Sequence, residues 1–179
     1  GNTSQTISHN LGSVPGCIII KQTDGTEDWR VYHRSLGATK NLRLNHDYVA
    51  GTNTPIFNDT EPTSANFTVG NYPATNSDTK IYVSYLFAHD SAIFGDTEDQ
   101  SIIKCGTFSG TGFVNLGWEP QWIMIKPHNQ SSNWEIYDNI RGMGEPGGLS
   151  AARALYPDLD NNEANPSRVS SEATRFTQT

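Results

Sequence analysis

Five histidines, nineteen carboxylates and two cysteines are the groups in this chain best able to move a proton, attack a carbon or hold a metal. Their spacing speaks against all three. His9, His33, His46, His89 and His128 form no His-x-x-x-His pair, and neither Cys17 nor Cys105 has a Cys or His close by, so the short spacings that zinc needs are missing. "DLDNNE" starts like a calcium loop, with oxygens at Asp158, Asp160 and Asn162, but lacks the glycine and the distal glutamate of such loops. Asp96, Glu98 and Asp99 form an acidic run, which reads as a solvated turn rather than a glycosidase pair. No Gly-x-Ser-x-Gly elbow and no phosphate-binding glycine loop occurs. The chain is therefore read as a non-enzyme with no cofactor and no metal. A Ser-His-Asp arrangement assembled in space is the catalytic alternative that the sequence leaves open.

Binding chemistry has more material. Trp29 and Trp134, and Tyr32 and Tyr137, occupy matching places in two copies of one pattern. Exposed, such rings stack on sugars; at the start of a strand beside a proline turn they act as core anchors, each burying about 150–250 Å². Pro15 and Pro120 open those turns, and both copies keep the aromatics although their loops differ, so the core role is preferred. Any glycan contact is then expected in the differing loops, Thr52 to Asn66 and Met143 to Pro157. Asn2, Asn58, Asn66 and Asn129 head Asn-x-Ser/Thr sequons, which become glycosylation sites only in a suitable host.

The elements that must position these residues are written twice. "NLGSVPGCIIIKQTDGTEDWRVYHRSLG", Asn10 to Gly37, returns as "NLGWEPQWIMIKPHNQSSNWEIYDNIRG", Asn115 to Gly142, without a gap and 105 residues on. Each copy runs from a proline turn through a five-residue apolar segment, Cys17–Lys21 or Trp122–Lys126, and a polar turn to an alternating segment opened by Trp. That is a β-hairpin in period-two chemistry, its apolar strand covered on both faces. Further strands are expected at Leu42–Leu44, Phe67–Gly70, Lys80–His89, Ile102–Phe108 and Phe176–Thr179, and a short helix at Ser150–Leu155 capped by Ser150. The organisation read from this is a first repeat over 1–90, a linker over 91–100 and a second repeat over 101–179.

Composition agrees with many short strands: charged residues are only 17 % and Gly, Asn, Ser and Thr abound. The net charge of −7 and the scattering of the twelve Lys and Arg exclude a nucleic-acid surface or a polybasic membrane patch. No apolar run approaches the roughly 20 residues of a membrane helix. Cys17 and Cys105 do not occupy equivalent positions, which favours buried thiols over a disulfide. Gly1 opens the chain with neither Met nor a signal-peptide pattern, so targeting is not readable and the chain is a processed product or a piece of something longer.

The ends of the two copies differ. The first has no counterpart of Ile102–Phe108, and the second stops where Lys80–His89 would follow. A sheet short of a strand exposes unpaired backbone groups. A longer parent chain, mutual completion by the two halves, and a strand donated by a neighbouring subunit are the three readings that remain.

Ser4 to Gly37, Ile81 to Asp90 ("IYVSYLFAHD") and Asn115 to Met143 together resemble a tandem β-rich module of uncharacterised function found in virion-associated and tail-fibre-like proteins of marine and freshwater bacteriophages. The resemblance spans nearly the whole chain and brings no catalytic residues with it. It implies a structural and adhesive part of a phage tail fibre or virion appendage, located on the virion surface or outside cells. Its implied partners are copies of itself or other virion proteins in a homo-oligomer, together with host-surface glycans, without nucleic acid or membrane. The fold expected is all-β, two homologous β-sandwich units of jelly-roll-like kind.

Overall fold

The alternating segments of the sequence become short antiparallel strands in the computed structural model, which describes residues 3–89, 96, 101–143, 152–166, 169–172 and 175–178. The fold is all-β apart from single turns of helix, and the chain divides into two compact units, Gly1–Leu44 with Tyr48–Thr107 and Asn45–Asp47 with Phe108–Thr179. Among the described residues no helix is long and apolar enough to cross a membrane. Most of the expected linker at 91–100 lies outside the described residues; Asp96 within it sits exposed in a turn.

In the first unit the strands are β1 (Gln5–Ser8), β2 (Pro15–Gln22), β3 (Arg30–His33), β4 (Lys40–Arg43), β5 (Gly51–Thr52), β6 (Asn66–Val69) and β7 (Tyr82–Ala88), with a four-residue helix α1 (Thr54–Phe57) after β5. Five of them make one antiparallel sheet in the order β5-β4-β3-β2-β7, and β1 pairs with β6. The core takes Ile18 and Ile20 from β2, Tyr32 from β3, Phe67 and Val69 from β6, and Ile56 and Phe57 from α1. Each strand contributes alternate residues, as the two-residue period of a pleated strand requires. The apolar run of β2 is buried throughout: Ile18 and Ile20 face this core, while Cys17 and Ile19 are buried on the other face.

Two glycines permit close approaches in this unit. Gly16 sits at a register shift between β2 and β7, and a Cβ there would lie 2.7 Å from His89 Cβ and 2.8 Å from Cys105 Cβ. Gly70, just after β6, donates its N–H to Ile56 O at 3.3 Å, and a Cβ on it would lie 2.2 Å from Pro55 O.

In the second unit the strands are β8 (Gly112–Asn115), β9 (Trp122–Ile125), β10 (Glu135–Asp138), β11 (Val169–Glu172) and β12 (Arg175–Gln178). β9 pairs with β10, and β11-β12-β8 form a three-stranded sheet. Ile123, Tyr137, Met143, Ala152, Ala154, Val169 and Phe176 make its core.

The repeated text gives the same backbone pairing. In β2–β3, Cys17 faces His33, Ile18 faces Tyr32, Ile19 faces Val31 and Ile20 faces Arg30; in β9–β10, Trp122 faces Asp138, Ile123 faces Tyr137, Met124 faces Ile136 and Ile125 faces Glu135. Every pair is displaced by 105 positions. A lysine braces each turn in the same way: Lys21 Nζ donates to Glu27 O and Lys126 Nζ to Ser132 O, both at 2.7 Å.

Several expectations fail. Ile102–Phe108 is not a strand; Ile102 and Phe108 are exposed, and Cys105 instead donates its N–H to His89 Nδ1 at 3.2 Å. β-propensity makes a strand only where an edge is available to pair with. With no strand at Ile102–Phe108, the comparison of the two copies no longer calls for a matching strand ahead of β1. Residues 152–155 form no helix: Ala154 bridges to Ala164 and Leu155 to Ile136, tertiary ladder bonds that override a weak helical preference, while the proposed cap Ser150 lies outside the described residues. β9 also departs from the expectation of two covered faces, since Trp122 is 51 % exposed. The expectation of thiols rather than a disulfide agrees with the structure, in which Cys17 is a buried and Cys105 a half-buried free thiol.

Candidate functional site

The strand register of the first unit places two cations side by side. Arg30 on β3 faces Arg43 on β4 as a cross-strand pair, an arrangement that like charges disfavour unless something lies with them. Asp28 is that group in part, its Oδ2 standing 3.4 Å from Arg30 Nη2 and 3.3 Å from Arg43 Nη1. One carboxylate oxygen is thus shared by two guanidiniums.

Arg30 is 3 % exposed although it is permanently charged. Its Nη1 donates to Asn41 Oδ1 at 3.1 Å, its Nη2 reaches Tyr72 Oη at 3.4 Å, and the guanidinium lies 5.2 Å from the Tyr72 ring centre. Nε has no acceptor, so a buried donor is left unsatisfied on a group that carries five N–H bonds. Burial first, and the Arg43 charge second, pull the Arg30 pKa down. Such a donor normally finds a partner in a folded protein.

Around these residues lies a cleft of about 190 Å³, lined by Arg30, Asn41, Arg43, Tyr48, Val49, Gly51, Thr52 and Asn53. Each wall has a local cause. Asn41 is buried and fixed by donating Nδ2 to Gly51 O at 3.2 Å across the β4–β5 pair. Tyr48 is 47 % exposed, and its ring carries the Arg43 guanidinium at 5.2 Å. Asn53 precedes α1 in extended conformation without using its side chain as a cap. The result is a polar floor held rigid by strands, with an exposed aromatic at its rim.

In the second unit a cleft of about 290 Å³ is lined by Ser132, Asn133, Glu135, Tyr156, Leu159, Asn161, Asn162 and Ala164. Glu135 stands at the position equivalent to Arg30, and its Oε2 accepts the Tyr137 hydroxyl at 2.6 Å. The same strand position therefore supplies a cation in one cleft and a carboxylate in the other. Asp158, from the loop that begins like a calcium site, accepts the Trp134 N–H at 3.2 Å. Among the described residues no three His, Cys, Asp or Glu side chains gather to hold a metal.

The repeated anchors separate. Tyr32, Tyr137 and Trp134 are buried, as are Pro15 and Pro120, whereas Trp29 is half-buried and stacks on exposed Tyr85 with ring centres 6.4 Å apart. Tyr32 gives its hydroxyl to Glu61 Oε2 at 2.6 Å, and burial followed by that carboxylate raises its pKa. Of the sequons, Asn58 and Asn129 are exposed, Asn66 is half-buried on β6, and Asn2 lies outside the described residues.

A family profile described as Domain of unknown function (DUF7483) covers residues 1–174. The chain belongs to this family. No curated protein and no solved structure matches it. The DUF7483 match takes in both hairpins and both clefts, and its description assigns no activity. Within this DUF7483 chain the two loops in which the sequence places any glycan contact both touch a cleft, Thr52 to Asn66 at Thr52 and Asn53 and Met143 to Pro157 at Tyr156, but sequence reasoning stops at the loops. It missed Arg30, Asn41, Arg43 and Tyr48. The signal that could have found them is an arginine on the inward face of a strand, two residues before core Tyr32.

Proposed function

We propose that this chain is a structural and adhesive component of a phage tail fibre or virion appendage, acting at the virion surface by contacting a host-surface glycan. The observation that supports it is the first-unit cleft, where an exposed aromatic, Tyr48, borders side chains whose polar atoms are fixed by strands. Sugars are recognised by that combination, a ring to stack on and rigid donors and acceptors beside it. A cleft this small engages one residue of a polysaccharide, and many copies on one particle turn weak single contacts into firm attachment. The matching hairpins support two homologous units of jelly-roll-like sandwich kind. The work is binding rather than catalysis.

The test is retention of the fluorescently labelled chain, clustered on a multivalent bead, by cells of candidate host bacteria. Binding that is lost with Tyr48→Ala and with enzymatic removal of surface polysaccharide supports the reading. Retention unaffected by stripping the polysaccharide overturns it.

A second reading, a fibre subunit joined by strand donation, is favoured by one observation. β2 is flanked by β3 and β7, whereas among the described residues β9 pairs with β10 alone. An edge of this kind accepts an added strand. Light scattering checks it: concentration-dependent polymers that a peptide of Lys80 to His89 dissolves support it, and a monomer that ignores the peptide removes it.

A further inference from the structure

We infer that the first-unit cleft is an anion site that selects an acidic sugar, a uronic acid whose carboxylate meets Arg43 above the buried Arg30. The inference rests on the adhesive reading and adds the chemical class of its ligand. Four observations converge on it.

The lining holds two guanidiniums and, among the described residues, no carboxylate. Asp28 contacts both arginines from outside the lining, and Glu27 adds a more distant negative charge to Arg30. Two cations stand opposed across the β3–β4 ladder at this cleft, and one Asp28 oxygen contacts both. An anion entering there relieves the repulsion between the two strands.

Arg30 is more than nine-tenths buried, and its Nε lacks an acceptor. Three acceptors face a group with five N–H bonds: Asn41 Oδ1 at 3.1 Å, and Asp28 Oδ2 and Tyr72 Oη at 3.4 Å each. The last two are long for charge-assisted bonds, which ordinarily lie near 2.7–2.9 Å. Buried charge so loosely satisfied is poised for a further negative partner.

Geometry selects a carboxylate on a ring. A guanidinium is a planar fork that matches a carboxylate's two oxygens. The Tyr48 face beside Arg43 offers a stacking surface for the ring that carries the carboxylate, and Asn41, Thr52 and Asn53 supply amide and hydroxyl groups for sugar hydroxyls. A volume of about 190 Å³ falls below the range of about 300–1,000 Å³ typical for drug-sized ligands, so the occupant is one ring. The equivalent position in the second unit carries Glu135, so that cleft is predicted to refuse the same ligand.

Titration of the whole chain with sodium glucuronate, followed by amide chemical shifts, tests this, with glucose and inorganic phosphate as comparison probes. Expected are saturable shifts of Asn41, Thr52 and Asn53 with glucuronate, at least tenfold weaker binding of glucose, and weakening by added salt. Arg43→Gln, at a partly exposed side chain, is expected to weaken glucuronate at least tenfold while leaving the fold intact. Arg30→Gln serves as a second variant wherever its spectrum stays folded. Equal binding of glucose and glucuronate, or indifference to Arg43→Gln, overturns the inference. Phosphate binding as tight as glucuronate also overturns it, reducing the site to a general anion hole. Retention by host polysaccharide without any glucuronate shifts sinks the acidic-sugar assignment and leaves the adhesive reading standing; absence of both removes the two together.

Discussion

Replacing Gly70 with alanine should unfold the first unit more readily than its single added methyl suggests. The Cβ would stand 2.2 Å from Pro55 O, 2.9 Å from Pro55 C and 3.1 Å from Pro55 Cα. All three atoms belong to the backbone or its branch point, so no side chain can swing aside. Pro55 is also in the first turn of α1, whose Ile56 and Phe57 are core residues. Relief therefore requires α1 to move about 1 Å from β6, since contacts below roughly 3 Å are not sustained, and that shift stretches the Gly70 N–H bond to Ile56 O. Overpacking usually costs about 1–3 kcal/mol, and a weakened buried hydrogen bond adds about 1 kcal/mol. Alanine's smaller unfolded-state entropy returns about 0.4–1 kcal/mol. The net expectation is a loss of about 2–3 kcal/mol, or roughly 10 °C in melting temperature for a unit of about 100 residues. Differential scanning calorimetry measures it, with Gly106→Ala as the control because a Cβ there meets nothing within 4 Å. If the two variants melt within about 2 °C of each other, the close approach of Pro55 is not what requires glycine at position 70.

Two further outcomes are expected. Tyr32→Phe and Tyr137→Phe each remove a 2.6 Å hydroxyl-to-carboxylate bond and should each lower stability by about 1–3 kcal/mol in urea unfolding; a negligible change for both would show those bonds to be unimportant. Burial, then the neighbouring Cys105, pushes the Cys17 thiol up to about 12. Because the folded value is raised, its contribution is complete below about pH 9 and is lost as pH rises toward about 12, reaching at most ~4 kcal/mol. Cys17→Ser should flatten that alkaline loss, and at pH 8 a thiol reagent should modify Cys17 in urea but scarcely in the native chain. Rapid native labelling would contradict the burial argument.

The hairpins were legible because their signals are local. Alternation, a proline before and a polar turn between specify β2–β3 and β9–β10, and Phe67 and Val69 mark β6 by the same two-residue period. What escaped depends on partners distant in sequence. Ile102–Phe108 has strand-like composition without a ladder, whereas Gln5–Ser8 has modest composition and becomes a strand because β6 lies beside it. The cleft escaped for a related reason. Arg30, Asn41 and Tyr48 lie in three separate segments, and only the β3–β4–β5 register brings them together. Trp29 shows the limit of repeat logic: its counterpart Trp134 is buried, yet Trp29 meets exposed Tyr85 on β7, a strand with no counterpart beside β9 among the described residues.

Arg30 and Glu135, at one equivalent strand position, show what the hairpin tolerates. The hairpin keeps its register, its turn-bracing lysine and its buried tyrosine on both occasions, while the residue facing the cleft reverses sign. The pairing that makes the hairpin and the charge at this one position are therefore independent of each other. A substitution at this one strand position can reverse the charge presented to a cleft while the cross-strand pairing that forms the hairpin stays as it is.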